Sequence, residues 1–314
     1  MFGRTVVVIV NYNGSVDTAA CLSSLYASED VPRAVVVDNT PNDPELRKIM
    51  VSYPNVNYIS APYNLGFGGG NNLGINWAVS QTDCEFIFIF NNDAIVQPGT
   101  IAMLEGVLDN HPEAGMATPR IVFMDKPEVL WYGGGEVSWL RGAAVVPGYL
   151  GASNTLLALQ AREVSFASGC AMLVRRNVMQ QLKGFDERFF MYEEDVEMCL
   201  RIKEHGWRIL YEPAALVLHV VQASSRGEQK FVDRLSPLNN NLPFYVFHSV
   251  RNRLINMRLH ARGKNRLIFF AGFGLLLLKK VFAFAWHKRW DGIAAIVKGW
   301  RSYRECFVLD IHRC

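Results

Sequence analysis

The sequence predicts an α/β fold: a mostly parallel sheet with helices on both faces, followed by a C-terminal helical tail that is both basic and apolar. Three observations predict it. Short β-branched runs alternate with helix-like stretches, each run ends in a polar tip, and charge divides sharply near residue 245. Continuous apolar strands alternating with helices are the pattern of a parallel sheet buried on both sides. From residue 246 onward there are 14 Lys/Arg against three Asp/Glu, whereas residues 1–245 carry 18 basic and 26 acidic side chains.

The elements follow in order. The opening MFGRTVVVIVNYNG holds a run, Thr5–Val10, too short for a signal-peptide core, and reads as the first strand. Ser15–Ala27 places Leu22, Leu25 and Tyr26 on one helical face. Strand Ala34–Asp38, helix Pro44–Val51, strand Val56–Ser60, helix Asn71–Ser80 and strand Phe86–Phe90 come next. Further on, Glu194–His205 is amphipathic through Val196, Leu200 and Ile202, and Leu216–Val220 is an apolar strand ending at His219.

Composition excludes several classes. With 314 residues and 50% hydrophobic side chains, the chain can bury a core and is not disordered; its length allows two domains, or one large domain with an appendage. Gly and Pro show no period. Cysteines 21, 84, 170, 199, 306 and 314 lack CxxC spacing, so neither a structural zinc nor a disulfide framework is expected, and reduced thiols fit a cytoplasmic protein. No GxxxxGK[ST] occurs, and position 71 is Asn where a GxGxxG starting at Gly66 needs Gly, which argues against a Walker-type NTPase and an NAD-dependent oxidoreductase.

In open parallel sheets, ligands bind beyond the carboxyl ends of the strands. Here those ends carry Asn11-Tyr12-Asn13, Asp38-Asn39, Asn64-Leu65-Gly66-Phe67-Gly68-Gly69-Gly70-Asn71-Asn72 and Asn91-Asn92-Asp93. Taken singly, each is an ordinary turn or cap; four together read as one rim. Glycines at a helix start suit close approach of backbone N–H groups to a diphosphate. Asp186, Glu187, Glu193, Glu194 and Asp195 lie among Phe and Tyr. A solvated helix start accounts for Glu193–Asp195; a partly desolvated general base does so too. His219 reads equally as a core histidine or a metal ligand.

VIVNYN, VVVDN, NLGFGGGNNLG, FNND, SGCAMLVRR, GFDERFFMYEEDVEMCLRIKEHGW and HVVQASS, in this order, resemble family-2 inverting glycosyltransferases of the GT-A fold, with its Rossmann-like sheet. The likeness is to bacterial rhamnosyltransferase-like enzymes of cell-envelope polysaccharide synthesis and covers about residues 4–225. It implies that Tyr12 stacks near the donor pyrimidine and that Asp38 accepts from the base N3–H. Asn64, Gly66, Gly70, Asn71 and Asn92 would border the nucleotide and diphosphate. Asn91-Asn92-Asp93 falls on the DxD position, where Asp93 would hold a divalent cation, Mg²⁺ or Mn²⁺, with His219 completing its shell. Asp195 matches the catalytic base, and Arg251-Asn252 an Arg-Asn pair of related enzymes. One departure is Asn91, which leaves Asp93 as the tip's one carboxylate, so diphosphate oxygens must supply more of the coordination.

The resemblance implies transfer of rhamnose from a dTDP donor, or of a sugar from a UDP donor, to a saccharide or lipid-linked acceptor. The competing expectation is a non-catalytic nucleotide-sugar-binding scaffold of the same fold. Two domains are expected, residues 1–225 and 226–314. In the second, the apolar run Leu267–Leu278 is shorter than the roughly 20 residues a bilayer span needs, and Lys279-Lys280 follows it. Flanking Arg262, Lys264, Arg266, Lys288, Arg289 and Trp286, Trp290 and Trp300 fit an interfacial segment on the anionic inner face of a membrane; a helix packed on the front domain fits Leu267–Leu278 alone equally well. No recognition motif accompanies the charge, so nucleic acid is not an expected partner.

Overall fold

The computed structural model describes residues 3–27, 32–220, 235–236 and 239–311, without the side chains of 308–311. The expected alternation is present: β1 (Thr5–Asn11), α1 (Ser15–Tyr26), β2 (Arg33–Asp38), α2 (Pro44–Met50), β3 (Asn57–Ser60), α3 (Gly66–Ser80) and β4 (Phe86–Asn91). The chain continues through β5 (Ala94–Val96), α4 (Thr100–Asn110), β6 (Ala114–Phe123) and β7 (Leu130–Tyr132). A small hairpin, β8 (Glu136–Ser138) and β9 (Ala143–Val145), precedes β10 (Arg162–Val164), β11 (Ala171–Arg175) and α5 (Arg176–Leu182). Then come α6 (Glu194–Glu204) and β12 (Arg208–His219). Three helices close the chain: α7 (Leu242–His260), α8 (Gly263–Trp286) and α9 (Trp290–Ile311).

The main sheet runs β10-β12-β6-β11-β4-β1-β2-β3, with β5 on β12 and β7 on β6. The β4-β1-β2-β3 half is wholly parallel, as is β6 with β12, and β11 is antiparallel to both of its neighbours. Val6–Ile9, Val35–Val37 and Phe86–Phe90 are sealed from solvent because helices cover both faces.

The helix expected from Asn71 begins at Gly66, so the glycine-rich segment is two turns of helix rather than a loop. Glycine disfavours helix by about 1 kcal/mol per residue, but here the absent side chains are what permit packing. A Cβ on Gly74 would lie 2.4 Å from Val8 Cγ1, and one on Gly66 (φ +73°) 2.1 Å from the Phe190 carbonyl oxygen. The helix can approach the sheet and the Phe190 backbone only without those side chains.

Helix α8 also exceeds its expectation. The twelve-residue apolar run is part of a 24-residue helix that continues through Lys279 and Lys280, long and apolar enough to cross a membrane. It nevertheless lies against the protein. Phe269, Gly272, Phe273 and Phe284 are buried, and a Cβ on Gly272 would touch the Leu140 carbonyl beside the β8–β9 hairpin. Its other side exposes Leu267, Leu275, Leu278, Phe282 and Trp286. Helix α9 packs along α7, and α7 along α6. The boundary expected at 225/226 lies outside the described residues. Cys21, Cys84, Cys170, Cys199 and Cys306 are free thiols; Cys314 lies outside the described residues.

Gly66→Ala is expected to lower unfolding free energy by about 2 kcal/mol or more, combining left-handed strain and overpacking. Gly106→Ala, in α4 with open space around it, should leave stability equal or raise it by up to about 1 kcal/mol. Urea midpoints of the two variants check the contrast.

Candidate active site

The expected site residues fall into two groups at the carboxyl edge of the sheet. In the first, Tyr12 directly follows β1 with 42% of its surface exposed, available for stacking. Asp38, by contrast, is fully buried, and its oxygens accept from the Thr40 and Asp43 amides at 3.0 Å and the Tyr58 hydroxyl at 2.7 Å. In this conformation the Asp38 carboxylate shows no surface to a base; it shapes the 38–43 turn and orients Tyr58. Asn64 Oδ1 accepts from the Gly66 amide at 2.9 Å and from Asn39 Nδ2 at 3.1 Å. Asn39, the second residue of the Asp38-Asn39 tip, also accepts from the Leu65 amide and donates to the Gly66 carbonyl.

These bonds correct one expectation. The Leu65 and Gly66 amides go to Asn39 and Asn64, and the Phe67 amide goes to the Phe190 carbonyl at 2.9 Å. The start of α3 therefore offers its dipole, rather than these three N–H groups, to an anion. Gly70 and Asn71 face inward, Gly70 against Val10 and Asn39, and Asn71 donating back to the Phe67 carbonyl. Asn72 brackets Phe185 with two hydrogen bonds, fixing α3 to the GFDE segment.

The second group assembles around the β4 tip. Asn92 donates to the Gly14 carbonyl and Thr18 Oγ1, tying the tip to α1. Asp93 Oδ1 meets His219 Nε2 at 3.0 Å, across 126 positions of sequence, because β12 folds back antiparallel on β5 and pairs His219 with Ala94. Trp131 stands edge-on to the imidazole. Burial lowers the imidazole's proton affinity, but Cys170 and Asp93 outweigh it and push His219 up to about 10. Among the described residues no cluster of three or more His, Cys, Asp and Glu could hold a metal. Asp93 and His219 are nonetheless near enough to each other to hold one ion together once the imidazole gives up its proton. His219 Nδ1 is buried without a geometric hydrogen-bond partner, and Cys170 lies against the ring.

Asp195 stands in the first turn of α6, beside Gly169. Oδ2 accepts from the Gly169 amide at 3.2 Å and Oδ1 from the Val196 amide at 2.9 Å. The next residue of the same turn, Cys170, accepts from the Asn91 amide and lies beside His219. The Ser168–Cys170 turn thus spaces Asp195 from the Asp93–His219 pair. Desolvation, opposed by the Gly169 amide and reinforced by the charge of Glu193, raises the Asp195 carboxyl to about 6.

The solvated helix start is not what the fold makes. Glu193 and Glu194 are buried, and Glu194 Oε2 has no partner. Burial, then the charge of Asp195, raises the Glu194 carboxyl well above its usual range. Glu193 pairs with Arg253 Nε at 2.8 Å. Asp186 is held by Arg188, which leaves it a structural role.

The segment before α6 bends through two left-handed residues, Tyr192 (φ +67°) and Glu193 (φ +70°), and α7 holds it there. Asn252 Nδ2 donates to the Met191 and Tyr192 carbonyls at 2.9 and 2.7 Å, Asn256 Nδ2 to the Glu193 carbonyl at 3.0 Å, and Arg251 to the Arg188 carbonyl at 2.8 Å. Asn252 and Asn256 are fully buried. The Arg-Asn pair noted in the sequence is therefore a backbone clamp. Nothing in the sequence marked Asn256 or Arg253, since helical Asn and Arg are ordinary surface residues.

Comparisons with known proteins place the fold and the family. Among solved structures, a Pyrobaculum calidifontis mannosyltransferase in complex with GDP-Man and Mn²⁺ superposes with TM-score 0.56 at 13% identity, covering 96% of this chain and 87% of that one. GalNAc-T7 with UDP, GalNAc and Mn²⁺ gives TM-score 0.56 at 16% identity, covering 69% and 43%. The fold is GT-A. Residues 3–235 match the family described as "Glycosyltransferase like family 2", and the chain belongs to that family. It is 30% identical over 235 residues to the N-acetylglucosaminyl-diphospho-decaprenol L-rhamnosyltransferase of Mycobacterium tuberculosis, covering 68% of this chain and 75% of that protein. It is 25% identical to the rhamnosyltransferase WbbL of Escherichia coli, covering 70% and 85%. It also matches the low-salt glycan biosynthesis hexosyltransferase Agl10 of Haloferax volcanii at 28% identity, spanning 62% of that protein's length.

Two outcomes are expected here. Asp195→Asn removes a carboxylate that is costly to ionise, because its folded pKa lies above the unfolded value. The native side chain is least unfavourable when protonated, so the stabilising effect of the variant should be largest at pH 7–8 and shrink as pH falls through about 6; thermal melts across pH check it. Asn252→Ala should lower kcat roughly 10–10²-fold while nucleotide affinity stays near wild type, since misplacing the Asp195 segment affects positioning rather than donor contact. Steady-state kinetics beside nucleotide titration separates the two effects.

Proposed function

We propose that this glycosyltransferase transfers a sugar, rhamnose from a dTDP donor or a sugar from a UDP donor, to the hydroxyl of a saccharide or lipid-linked acceptor in cell-envelope polysaccharide synthesis, with inversion. The observation that carries the reading is Asp195: a carboxyl raised to about 6, at the start of α6, one turn of chain away from the Asp93–His219 pair. A base of that strength is largely ionised at neutral pH and still accepts a proton. The relatives named rhamnosyltransferases support the sugar class.

Asp195 takes the proton of the acceptor hydroxyl as its oxygen bonds to the anomeric carbon. The bond from that carbon to the diphosphate breaks on the opposite face, and its electron pair leaves with the nucleoside diphosphate. One displacement inverts the configuration and requires no enzyme nucleophile. Tyr12 stacks on the pyrimidine, while Asp38, Asn39 and Asn64 hold the walls around it. Asp93 would hold a divalent cation, Mg²⁺ or Mn²⁺, and His219 would join it on giving up its proton; the cation would neutralise charge on the diphosphate. Burial, which raises the proton affinity of Glu194, and the pairing of Glu193 with Arg253 moderate the negative charge beside the base.

The catalytic unit is residues 1–225 and the helical region residues 226–314. We place the protein at the cytoplasmic face of the membrane, peripherally bound. The exposed apolar side of α8 and exposed Arg262, Lys264, Arg266, Lys279 and Lys288 support this.

Asp195→Asn should slow transfer by roughly 10²–10⁴-fold with donor affinity retained, whereas Asp93→Asn should weaken cation-dependent binding of dTDP or UDP. Calorimetric titration with and without Mn²⁺, beside transfer assays, distinguishes them. Near-wild-type transfer by Asp195→Asn removes the base assignment, and a chain that binds these donors yet never turns over with any acceptor favours the scaffold reading.

A further inference from the structure

A cavity of about 590 Å³ lies between α7, α8 and the β8–β9 hairpin. Its walls are apolar, including Val246, Val250, Phe273, Leu277 and Phe284. Four cations line it as well: Arg141 from the hairpin, Arg253 from α7, and Lys279 and Lys280 from α8. Ser249, also in the lining, has a buried Oγ with no hydrogen-bond partner. Such a space, apolar with a few converging polar groups, has the size and make-up of a ligand site.

Its position ties it to the reaction centre. Arg253 reaches from the cavity lining to Glu193, two residues before Asp195, at 2.8 Å, and Lys280 lies close enough to favour the Glu193 charge. The exposed apolar side of α8 lies on the same helix that forms one wall.

We propose that this cavity seats the acceptor's lipid, a single isoprenoid chain, with the Arg141, Lys279, Lys280 and Arg253 side chains receiving its diphosphate. The proposal rests on the glycosyltransferase reading above and adds a site to it. A single apolar chain matches the apolar walls of this half-open cavity, and its four cations, two of which also face Glu193, match a diphosphate, which carries more charge than a phospholipid head group. Two acyl chains bound side by side would not match one cavity of this volume. With the diphosphate on these cations, the sugar it carries extends toward the Glu193–Asp195 segment.

The test titrates the full chain with farnesyl diphosphate, farnesol and inorganic diphosphate by calorimetry, with UDP and dTDP titrated in parallel. Farnesyl diphosphate should bind at least tenfold more tightly than either fragment. Arg141→Glu with Lys279→Glu, and separately Ala283→Phe, which fills the cavity, should each weaken it at least tenfold while nucleotide affinity stays unchanged. Should Ala283→Phe fail to fold by urea denaturation, Ala283→Ile serves as the milder filler. Equal binding of farnesol, unchanged affinity in these variants, or displacement of farnesyl diphosphate by phosphatidylglycerol vesicles at equal lipid concentration overturns the assignment. Farnesyl diphosphate binding without any UDP or dTDP binding would instead sink the glycosyltransferase reading of the front site and leave the cavity assignment standing.

Discussion

The site depends on one constraint: two consecutive non-glycine residues, Tyr192 and Glu193, must stay left-handed so that α6 starts where Asp195 meets the Gly169 amide. Each such residue costs on the order of 1–3 kcal/mol and persists only where its surroundings over-determine it. The surroundings here are side chains from α7. Arg251, Asn252 and Asn256 satisfy four carbonyls of the 188–193 segment, carbonyls that a strained turn could not satisfy within itself. Arg251 is anchored in turn on Ser302 and Cys306 of α9. The C-terminal helices therefore hold the segment that leads into Asp195, although charge and composition set them apart in sequence.

The same region concentrates carboxylates that water would normally separate. Glu193, Glu194, Asp195 and Glu197 occupy five positions, and each is dealt with differently. Glu193 and Glu197 are paired, with Arg253 and Arg201; His260 bridges toward Glu197 and Glu204. Glu194 is buried with Oε2 unpartnered, and burial raises its proton affinity. That leaves Asp195, partly exposed and hydrogen-bonded by amides alone, as the acid of the cluster tuned to change charge near neutrality.

Much of this was legible in the sequence, for physical reasons that differ by element. The strands Thr5–Val10, Ala34–Asp38 and Phe86–Phe90 stand out because a doubly covered parallel strand must be apolar throughout. Helix Glu194–His205 stands out because its buried stripe has helical spacing. The start of α3 at Gly66 was not legible, because four glycines lower helix propensity and only the contacts with Val8, Val10 and Phe190 restore it. Asp38 was read as a ligand because a carboxylate at a strand end serves a turn or a base equally well; its burial beneath Thr40, Asp43 and Tyr58 is a tertiary fact. The contact of His219 with Asp93 depends on β12 crossing to β5, and no local pattern encodes that register. The length of α8 was hidden by Lys279 and Lys280, whose long side chains let a helix keep its apolar course while their charges reach a polar mouth.

The Ser168–Cys170 turn carries a further consequence. Adjacent backbone positions, the Gly169 amide and the Cys170 carbonyl, touch the two halves of the reaction centre. In the function proposed above, one peptide link therefore joins the contact of the base to the contact of the β4 tip, with neighbouring Cα atoms about 3.8 Å apart. Substitutions that reshape the walls for another sugar or another acceptor leave that link in place. Substrate range can drift across such a scaffold while the two halves stay joined.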